Sequence, residues 1–282
     1  MILITGSNGQ LGTELRHLLD ERGTEYVAAD VAEMDITDAE KVAAFFEKVR
    51  PKIVYHCAAY TAVDMAEDQG KDLNYAINVL GSENIAKAAE QYGATLVYIS
   101  TDYVFNGDLP VGQEWQVDDQ PDPQSEYGRT KRLGEEAVEK YASKFYTVRT
   151  AWVFGNYGKN FVFTMQNLAQ TRDTLTVVND QHGRPTWTRT LAEFMVYLVD
   201  TKQAFGYYHL SNDAKEDTTW FDFATEILKD TATKVVPVDS SQFPAKAKRP
   251  FNSTMSLEKA KATGFHIPTW QEALEAFYQQ GK

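Results

Sequence analysis

Three glycines between an apolar run and an amphipathic stretch constrain the fold more than any other feature of this chain. The segment TGSNGQLG (5–12) follows MILIT (1–5) and opens a helical pattern at 10–23. Glycines at these positions allow a tight turn, let the backbone approach a pyrophosphate, and let helix and strand pack closely. The helix N-terminus adds free N–H groups and a favourable dipole. We therefore predict a dinucleotide-binding loop formed by Gly6, Gly9 and Gly12.

Strand-like and helix-like segments alternate through the first 155 residues. Helical patterns separate the apolar, β-branched runs, as in βαβ units. The runs lie at 1–5, 25–30, 52–59, 95–101 and 145–155, and the helical patterns at 10–23, 38–50, 74–93 and 126–142. We expect an α/β fold of Rossmann type, with a doubly wound parallel sheet covered by helices on both faces.

The pattern changes after residue 155. Helical segments at 161–171, 191–201 and 220–230 stand beside a polar, loop-rich stretch at 174–187. We predict an NAD(P)-binding Rossmann domain over 1–155 and a smaller C-terminal α/β substrate-binding lobe over 156–282. The boundary is soft, because segments of the second lobe can return to the first domain.

Charge and cysteine content narrow the classes of function. A net charge of −12 argues against nucleic acid or an anionic membrane as the main partner. Cys57 is the single cysteine, so no disulfide framework or cysteine metal site can form, which fits a reducing, cytoplasmic setting. The five histidines show no metal-ligand spacing, and no apolar run approaches the roughly 18 residues of a membrane span. We expect a cytoplasmic protein that acts on a small molecule.

Tyr127 and Lys131, in YGRTK (127–131), are the candidate acid–base pair. Four residues along a helix is about one turn, so both side chains lie on one face. A nearby ammonium favours the phenolate, so we expect Lys131 to lower the pKa of Tyr127. Thr101 ends a predicted strand, where open α/β sheets bind ligands, and can donate a hydrogen bond to a substrate oxygen.

Together these motifs resemble the extended branch of the short-chain dehydrogenase/reductase family. The TGxxGxxG start, Thr101, the Tyr127–Lys131 pair and RTAWVFG (149–155) match its pattern. The resemblance implies an enzyme in which Thr101, Tyr127 and Lys131 are catalytic and the cofactor moves a hydride. It also implies that Asn78 helps to order the site.

Longer blocks are similar to the dTDP-4-dehydrorhamnose reductases within that family. They are AAYTAVDMAE (58–67), STDYVFNG (100–107), NDQHGRPT (179–186) and RPFNS (249–253). The similarity implies an oxidoreductase that reduces the 4-keto group of dTDP-4-dehydro-L-rhamnose to dTDP-L-rhamnose, the last step in making this deoxysugar donor for surface polysaccharide. The cofactor side would comprise Gly6, Gly9, Gln10, Leu11, Gly12, Asp30, Asp35, Ile36, Ala59, Tyr60, Thr61, Asn78, Tyr127 and Lys131. The substrate side would comprise Val63, Thr101, Asp102, Tyr103, Tyr127, Trp152 and Arg249, the last as a pyrophosphate ligand.

The cofactor preference follows from two opposing observations. Asp30, at a strand end about 20 residues after the glycine loop, would bond the ribose hydroxyls of NADH and repel the 2′-phosphate of NADPH. The resemblance implies that NADPH or both cofactors are used. We therefore expect NADPH, with NADH as a second cofactor.

Two alternative functions remain at this point. A related nucleotide-sugar epimerase or dehydratase would share the fold, although Tyr103 stands where a dehydratase usually has Glu after Asp102. A non-catalytic regulatory subunit would share it too, as that of methionine adenosyltransferase does.

Some related reductases pair through a metal-bridged glutamate cluster, but Arg189 and Gln271 match two of those acids. We expect no metal and favour a monomer over a weak dimer.

Overall fold

Six parallel strands form the central sheet. The computed structural model describes residues 1–280. The strands are β1 (Ile2–Thr5), β2 (Tyr26–Ala29), β3 (Ile53–His56), β4 (Thr95–Thr101), β5 (Phe145–Thr150) and β9 (Gly206–His209). Their order in the sheet is β2-β1-β3-β4-β5-β9, and all neighbours pair in parallel. From β1 the chain adds β2 on one side of the sheet and then β3 on the other side. Ligands bind at such switch points in strand order, here between β1 and β3.

Helices cover both faces of this sheet, as predicted. The helices around the sheet are α1 (Gln10–Glu21), α2 (Ala39–Val49), α3 (Lys71–Tyr75), α4 (Ser82–Gln91), α5 (Glu126–Tyr141), α7 (Thr188–Asp200) and α9 (Glu258–Ala262). One face of the sheet packs against α1 and α7 through Leu15, Leu18, Leu191 and Met195. The other face packs against α2, α4 and α5, with Phe46 fully buried. The expected Rossmann-type architecture is confirmed.

The helix expected at 74–93 consists of three parts. Helix α3 runs into a π-helical segment, Ala76–Gly81, which continues as α4. A wider π turn often occurs at functional positions. Here it contains Asn78, which is buried and faces the loop after β3.

A second, smaller lobe is built mainly from residues after 155. Its core contains Phe154, Phe223, Trp270 and Phe277. Its elements are β6 (Val153–Phe154), α6 (Phe161–Ala169), β7 (Thr174–Val178), β8 (Thr186–Trp187), α8 (Trp220–Ile227), β10 (Lys234–Val238) and α10 (Trp270–Gln280). Strands β7 and β10 pair in parallel, as do β6 and β8. The prediction of a loop-rich stretch at 174–187 was therefore wrong at both ends, where short strands form.

The chain crosses between the lobes more than once. Strand β9 pairs with β5, and α7 packs on α1, so Thr188–His209 lies with the first lobe although it follows residue 155. The cause is the apolar face of α7, which is buried against the sheet. A division of the chain at residue 155 is therefore incomplete, because residues 188–209 belong with the first lobe. Within residues 1–280, no helix is both long and apolar enough to cross a membrane.

Candidate active site

The loop after β1 has the geometry that its glycines predict. Gly6 has φ +62°, and a Cβ at this position would lie 2.5 Å from the backbone nitrogen of Ala58. A Cβ on Gly12 would lie 2.2 Å from the carbonyl oxygen of Gly6. Gly9 caps α1 without a side-chain hydrogen bond, so the first N–H groups of the helix stay open to a ligand. The backbone is thus shaped to receive a phosphate.

A cleft of about 450 Å³ lies beside this loop, at the switch point between β1 and β3. Asp30 is fixed at its rim by the N–H groups of Asn8 and Val31, each 2.9 Å from a carboxylate oxygen. Asp35, Ile36 and Ala59 line it as expected. Its walls, as far as the structure describes them, contain these two carboxylates and no lysine or arginine. The cleft therefore suits an adenosine whose ribose has free hydroxyls better than one with a 2′-phosphate.

A second cleft of about 580 Å³ adjoins the first, and Gly9, Cys57 and Ala59 line both. It brings together the three residues expected to be catalytic, Thr101, Tyr127 and Lys131, although 30 positions separate the first and the last in sequence. Other predicted residues that line it are Gln10, Leu11, Thr61, Val63, Asp102, Tyr103 and Trp152. Cofactor and substrate residues therefore share one continuous opening at the carboxyl ends of the strands.

The start of α5 places Tyr127 in the second cleft. Ser125 caps the helix by accepting a hydrogen bond from the N–H of Gly128 at 3.1 Å. A Cβ on Gly128 would lie 2.2 Å from the carbonyl oxygen of Tyr103, so only glycine permits this close approach. The Tyr127 ring meets the Tyr103 ring edge-on at a centroid distance of 5.6 Å. Gly128 is thus more than a spacer between Tyr127 and Lys131.

Lys131 is buried one turn further along α5. Its Nζ donates a hydrogen bond to the carbonyl of Ile99 at 2.7 Å and lies 4.3 Å from the centre of the Tyr98 ring. Burial lowers the pKa of Lys131 from 10.5 to about 7, and Glu135 and Cys57 oppose that change. The lysine therefore changes charge near neutral pH.

The pKa of Tyr127 is raised in the structure, whereas the sequence predicted that Lys131 would lower it. Burial raises the pKa of Tyr127 well above its ordinary value, the Thr101 hydroxyl lowers it, and the Asp102 charge raises it further. Lys131 donates its hydrogen bond to the Ile99 carbonyl and is not among the groups that shift this pKa, so the prediction that it lowers the pKa of Tyr127 was wrong. The phenol is held protonated, which is the form a proton donor needs.

Thr101 and Asp102 form a buried hydroxyl–carboxylate pair beside Tyr127. Thr101 Oγ1 donates to Asp102 Oδ1 at 2.9 Å and accepts from the N–H of Tyr103 at 3.2 Å. Burial raises the pKa of Asp102 to about 6, and the Ser253 and Thr101 hydroxyls oppose that rise. Asp102 therefore carries its charge at neutral pH and loses it under mildly acidic conditions.

Two predicted cofactor residues act through the backbone of the loop after β3. Asn78 Oδ1 accepts from the N–H of Tyr60 at 2.9 Å, and Nδ2 donates to the Tyr60 carbonyl at 3.1 Å and to Asn74 at 2.8 Å. Neither Asn78 nor Tyr60 lines the two clefts. Asn78 thus fixes the loop whose neighbours, Ala59 and Thr61, do line them.

Arg249 lies beside the second cleft without lining it. Its Nη2 donates to Asp64 Oδ2 at 2.7 Å, and the backbone N–H of Ala247 donates to the same carboxylate at 3.1 Å. Burial raises the pKa of Tyr103, and the Arg249 charge opposes that rise, so Arg249 lies near this wall of the cleft. A role on a pyrophosphate would use the guanidinium N–H groups that do not bond Asp64.

Lys159 and Ser100 line the second cleft and were not predicted. Lys159 follows Gly158, whose φ of +71° turns the loop after β6 towards Gln10. Asn160 holds that loop by donating to Gln10 at 3.1 Å and to the Gly155 carbonyl at 2.7 Å. A lysine beside a glycine after a strand end was the available signal in the sequence.

An acidic cluster on α1 and α7 surrounds the guanidinium of Arg189. Glu14 is fully buried, and its Oε1 lies 3.6 Å from Arg189 Nη1 and 3.2 Å from Gln280 Nε2. Arg189 also pairs with Glu21 and Glu193. Within residues 1–280, no group of three or more acidic, histidine or cysteine side chains could hold a metal ion. A metal-bridged glutamate cluster does not fit these residues.

The match of Gln271 to that cluster stays a prediction. Gln271 is exposed near the start of α10, whereas Gln280, at the end of the same helix, is the glutamine that contacts Glu14. The side chain of Arg189 lies among the acids, and its match to the cluster stays a prediction as well.

Comparison with known proteins agrees with this geometry. A family model described as RmlD substrate binding domain matches residues 1–282. The chain belongs to the RmlD family. Among its relatives, the spore coat polysaccharide biosynthesis protein SpsK of Bacillus subtilis is 38% identical, with 99% of this chain and 97% of that protein covered. The dTDP-4-dehydrorhamnose reductase of Streptomyces griseus is 40% identical, with 96% and 91% covered.

Solved structures of RmlD relatives have the same architecture. The dTDP-4-dehydrorhamnose reductase of Bacillus anthracis, solved in complex with NADP, has a TM-score of 0.94 and 40% identity, with 99% of this chain and 98% of that chain covered. UDP-glucose 4-epimerase of Thermus thermophilus, solved with NAD, has a TM-score of 0.81 at 22% identity. The second likeness shows the fold alone.

Proposed function

We propose that this protein reduces the 4-keto group of dTDP-4-dehydro-L-rhamnose with NAD(P)H and forms dTDP-L-rhamnose, the final step of dTDP-L-rhamnose synthesis for surface polysaccharide. The observation that carries the proposal is the meeting of Thr101, Tyr127 and Lys131 in one cleft that adjoins the dinucleotide loop. Relatives named as this reductase over nearly the whole chain support the substrate, and one solved with NADP supports the cofactor.

The side chains of the cleft divide the chemistry between them. Bound NAD(P)H supplies the hydride that reduces C4 of the sugar. Tyr127 donates its proton to the C4 oxygen as negative charge develops there. After Tyr127 has donated its proton, a phenolate remains. Lys131 lies one helical turn away, and the positive charge of its protonated amine stabilises that phenolate. Thr101 donates a hydrogen bond to the same oxygen after turning its hydroxyl away from Asp102.

The decisive test mixes the protein with dTDP-4-dehydro-L-rhamnose and NADPH or NADH and follows the absorbance of the reduced nicotinamide. We expect substrate-dependent oxidation and formation of dTDP-L-rhamnose. Tyr127→Phe should lower kcat at least a hundredfold and leave cofactor binding intact. Tyr75→Phe, at an exposed tyrosine of α3, is the matched control. Absence of oxidation by the wild-type protein would refute the proposal.

The rival functions give different results in the same assay. A dehydratase or epimerase would convert a nucleotide sugar without net consumption of NADPH. A regulatory subunit would bind NADPH and show no turnover with any sugar. Asp102 is followed by Tyr103, so the carboxylate pair expected of a dehydratase is not present at this position. The reductase is therefore the function to test first.

We also propose that the protein acts as a cytoplasmic monomer. Arg189 supports the monomer because its guanidinium neutralises the acids on α1 and α7 within one chain. Sedimentation of the purified protein with and without Mg²⁺ tests this: one species of about 32 kDa is expected in both cases. A dimer that forms only with Mg²⁺ would contradict it.

A further inference from the structure

Lys159 carries an exposed charge at the edge of the second cleft. Within the part of the chain that the structure describes, Lys131 and Lys159 are the basic residues that line the two clefts. Lys131 is buried and donates to the Ile99 carbonyl at 2.7 Å. Lys159 is exposed, and its amine forms no ion pair with a carboxylate of residues 1–280. Its charge is therefore available to an anion that enters the cleft.

The loop after β6 is fixed on both sides of Lys159. Two residues before it, Tyr157 stacks on His17 at a centroid distance of 5.0 Å and an interplanar angle of 3°. One residue after it, Asn160 donates to the side chain of Gln10 at 3.1 Å. His17 and Gln10 both belong to α1, the helix that follows the glycine loop. The backbone of Lys159 is therefore positioned in the ligand-free protein, and only its flexible four-carbon stem has to move.

The N-terminus of α1 faces the same cleft as Lys159. Gly9, Gln10 and Leu11 line the second cleft together with this lysine. The first turn of α1 contains no acidic side chain, and no side chain caps it, so its open N–H groups and the positive end of its dipole are not neutralised locally. A lysine and an open helix N-terminus at one cleft attract the same anion. The glycine loop is shaped for a pyrophosphate, which is such an anion.

The charges around the clefts oppose an anionic ligand everywhere else. The chain has a net charge of −12, and Asp30 and Asp35 line the first cleft. Like charges repel, so the field of the protein weakens the binding of a dinucleotide unless a nearby cation offsets it. Among the described residues that line the two clefts, Lys159 is the exposed cation that can do so.

We propose that Lys159 binds the pyrophosphate of the nicotinamide dinucleotide and so positions the cofactor between the two lobes. The inference rests on the proposed function in one respect, since it assumes that NAD(P)H enters the clefts. The glycine loop receives the pyrophosphate from the first lobe through backbone N–H groups. Lys159 reaches the same group from the loop after β6, in the second lobe, as a compact charge that bonds phosphate oxygens. The cofactor thereby contacts both lobes.

Direct titration of NADPH into the intact protein, followed by the fluorescence of the reduced nicotinamide, tests this role. Lys159→Gln removes the charge, and Lys159→Arg keeps it. Lys144→Gln, at an exposed lysine just before β5 and therefore at the opposite edge of the sheet, removes the same charge elsewhere. At low ionic strength we expect Lys159→Gln to weaken NADPH binding about tenfold, and the other two variants less than about twofold. At about 0.5 M salt the loss in Lys159→Gln should fall below about threefold, because salt screens an exposed charge.

A second titration, with dTDP, separates the diphosphate of the substrate from that of the cofactor. We expect Lys159→Gln to bind dTDP as the wild type does. Weaker dTDP binding with unchanged NADPH binding would place Lys159 on the substrate and overturn the inference. A Lys159→Gln protein that binds NADPH as tightly as the wild type at low salt would overturn it as well. So would a loss that high salt does not reduce and arginine does not restore, since such a loss would be structural.

These outcomes are independent of whether the sugar is reduced. Loss of NADPH affinity in Lys159→Gln, with no turnover of dTDP-4-dehydro-L-rhamnose by the wild type, would support the role of the lysine and refute the reductase proposal. Turnover by the wild type, with unchanged NADPH affinity in Lys159→Gln, would support the reductase and overturn the role of the lysine.

Discussion

Lys131→Met should make the ligand-free protein more stable while it removes catalysis. Burial lowers the pKa of Lys131 from 10.5 to about 7. Each pKa unit corresponds to about 1.4 kcal/mol, so holding the ammonium in this site costs on the order of 5 kcal/mol at pH 7. Methionine has a similar length and no charge, but it loses the hydrogen bond to the Ile99 carbonyl, about 1–2 kcal/mol. A net gain of about 3 kcal/mol in the free energy of unfolding is expected at pH 7.

The gain should shrink as the pH rises. The folded-state pKa lies below the unfolded value, so between pH 7 and 10.5 the unfolded chain binds more protons than the folded one. The stability of the wild-type protein therefore increases with pH in this window, by about 2 kcal/mol from pH 7 to 8.5. The pKa of Asp102 is about 6, so this carboxylate is already charged between pH 7 and 8.5 and adds little to the pH dependence in this window. The variant lacks the lysine and should show no such increase.

Urea unfolding of the cofactor-free protein at pH 7.0 and 8.5, followed by far-UV circular dichroism, measures both effects. Lys140→Met, at an exposed lysine on the same helix, controls for removal of a charge. It should change stability by less than about 0.5 kcal/mol. A Lys131→Met protein less stable than the wild type at pH 7, or a stability gap that does not change with pH, would refute the reasoning.

Three further predictions concern the cofactor cleft, the acidic cluster and the helix packing. Asp30→Ser removes a carboxylate from the adenosine cleft and should raise kcat/KM for NADPH relative to NADH about tenfold, measured in initial rates with both cofactors; an unchanged ratio would mean that Asp30 does not contact the ribose. EDTA should leave activity unchanged because Arg189 supplies the charge that neutralises Glu14, and a large loss that Mg²⁺ restores would contradict this. Gly134→Ala would bring a Cβ to 2.5 Å from the Asn78 carbonyl, so the free energy of unfolding should fall by about 1–3 kcal/mol, measured by urea unfolding. A variant as stable as the wild type would show that α5 can shift freely.

The first five strands and four helical regions of the central sheet could be predicted from local pattern alone. Their hydrophobic runs and glycine or proline boundaries act over a few residues, and the structure places each within a few positions. The run predicted at 145–155 divides into β5 and β6, because Trp152 adopts φ +47° between them. A left-handed backbone at a tryptophan depends on its packing against Trp220 and Gly183, which no local pattern records.

The site was predictable where it follows strand ends and helix turns. Thr101, Tyr127 and Lys131 meet because parallel strands end at one edge and a helix returns to it. The pKa of Tyr127, the pairing of Arg249 with Asp64 and the contact of Gln280 with Glu14 were missed. Each depends on tertiary contacts across 185 or 266 positions or on burial, which spacing in the sequence does not encode.

The return of β9 to the central sheet sets the order in which this chain can fold during synthesis. A nascent chain that has emerged only to residue 155 exposes the free edge of β5. It also lacks the apolar face of α7 that covers α1. Unpaired edges and uncovered apolar surface promote aggregation of folding intermediates. The dinucleotide-binding half therefore reaches its native form only after His209 has left the ribosome. Truncated chains that end before this residue should be insoluble.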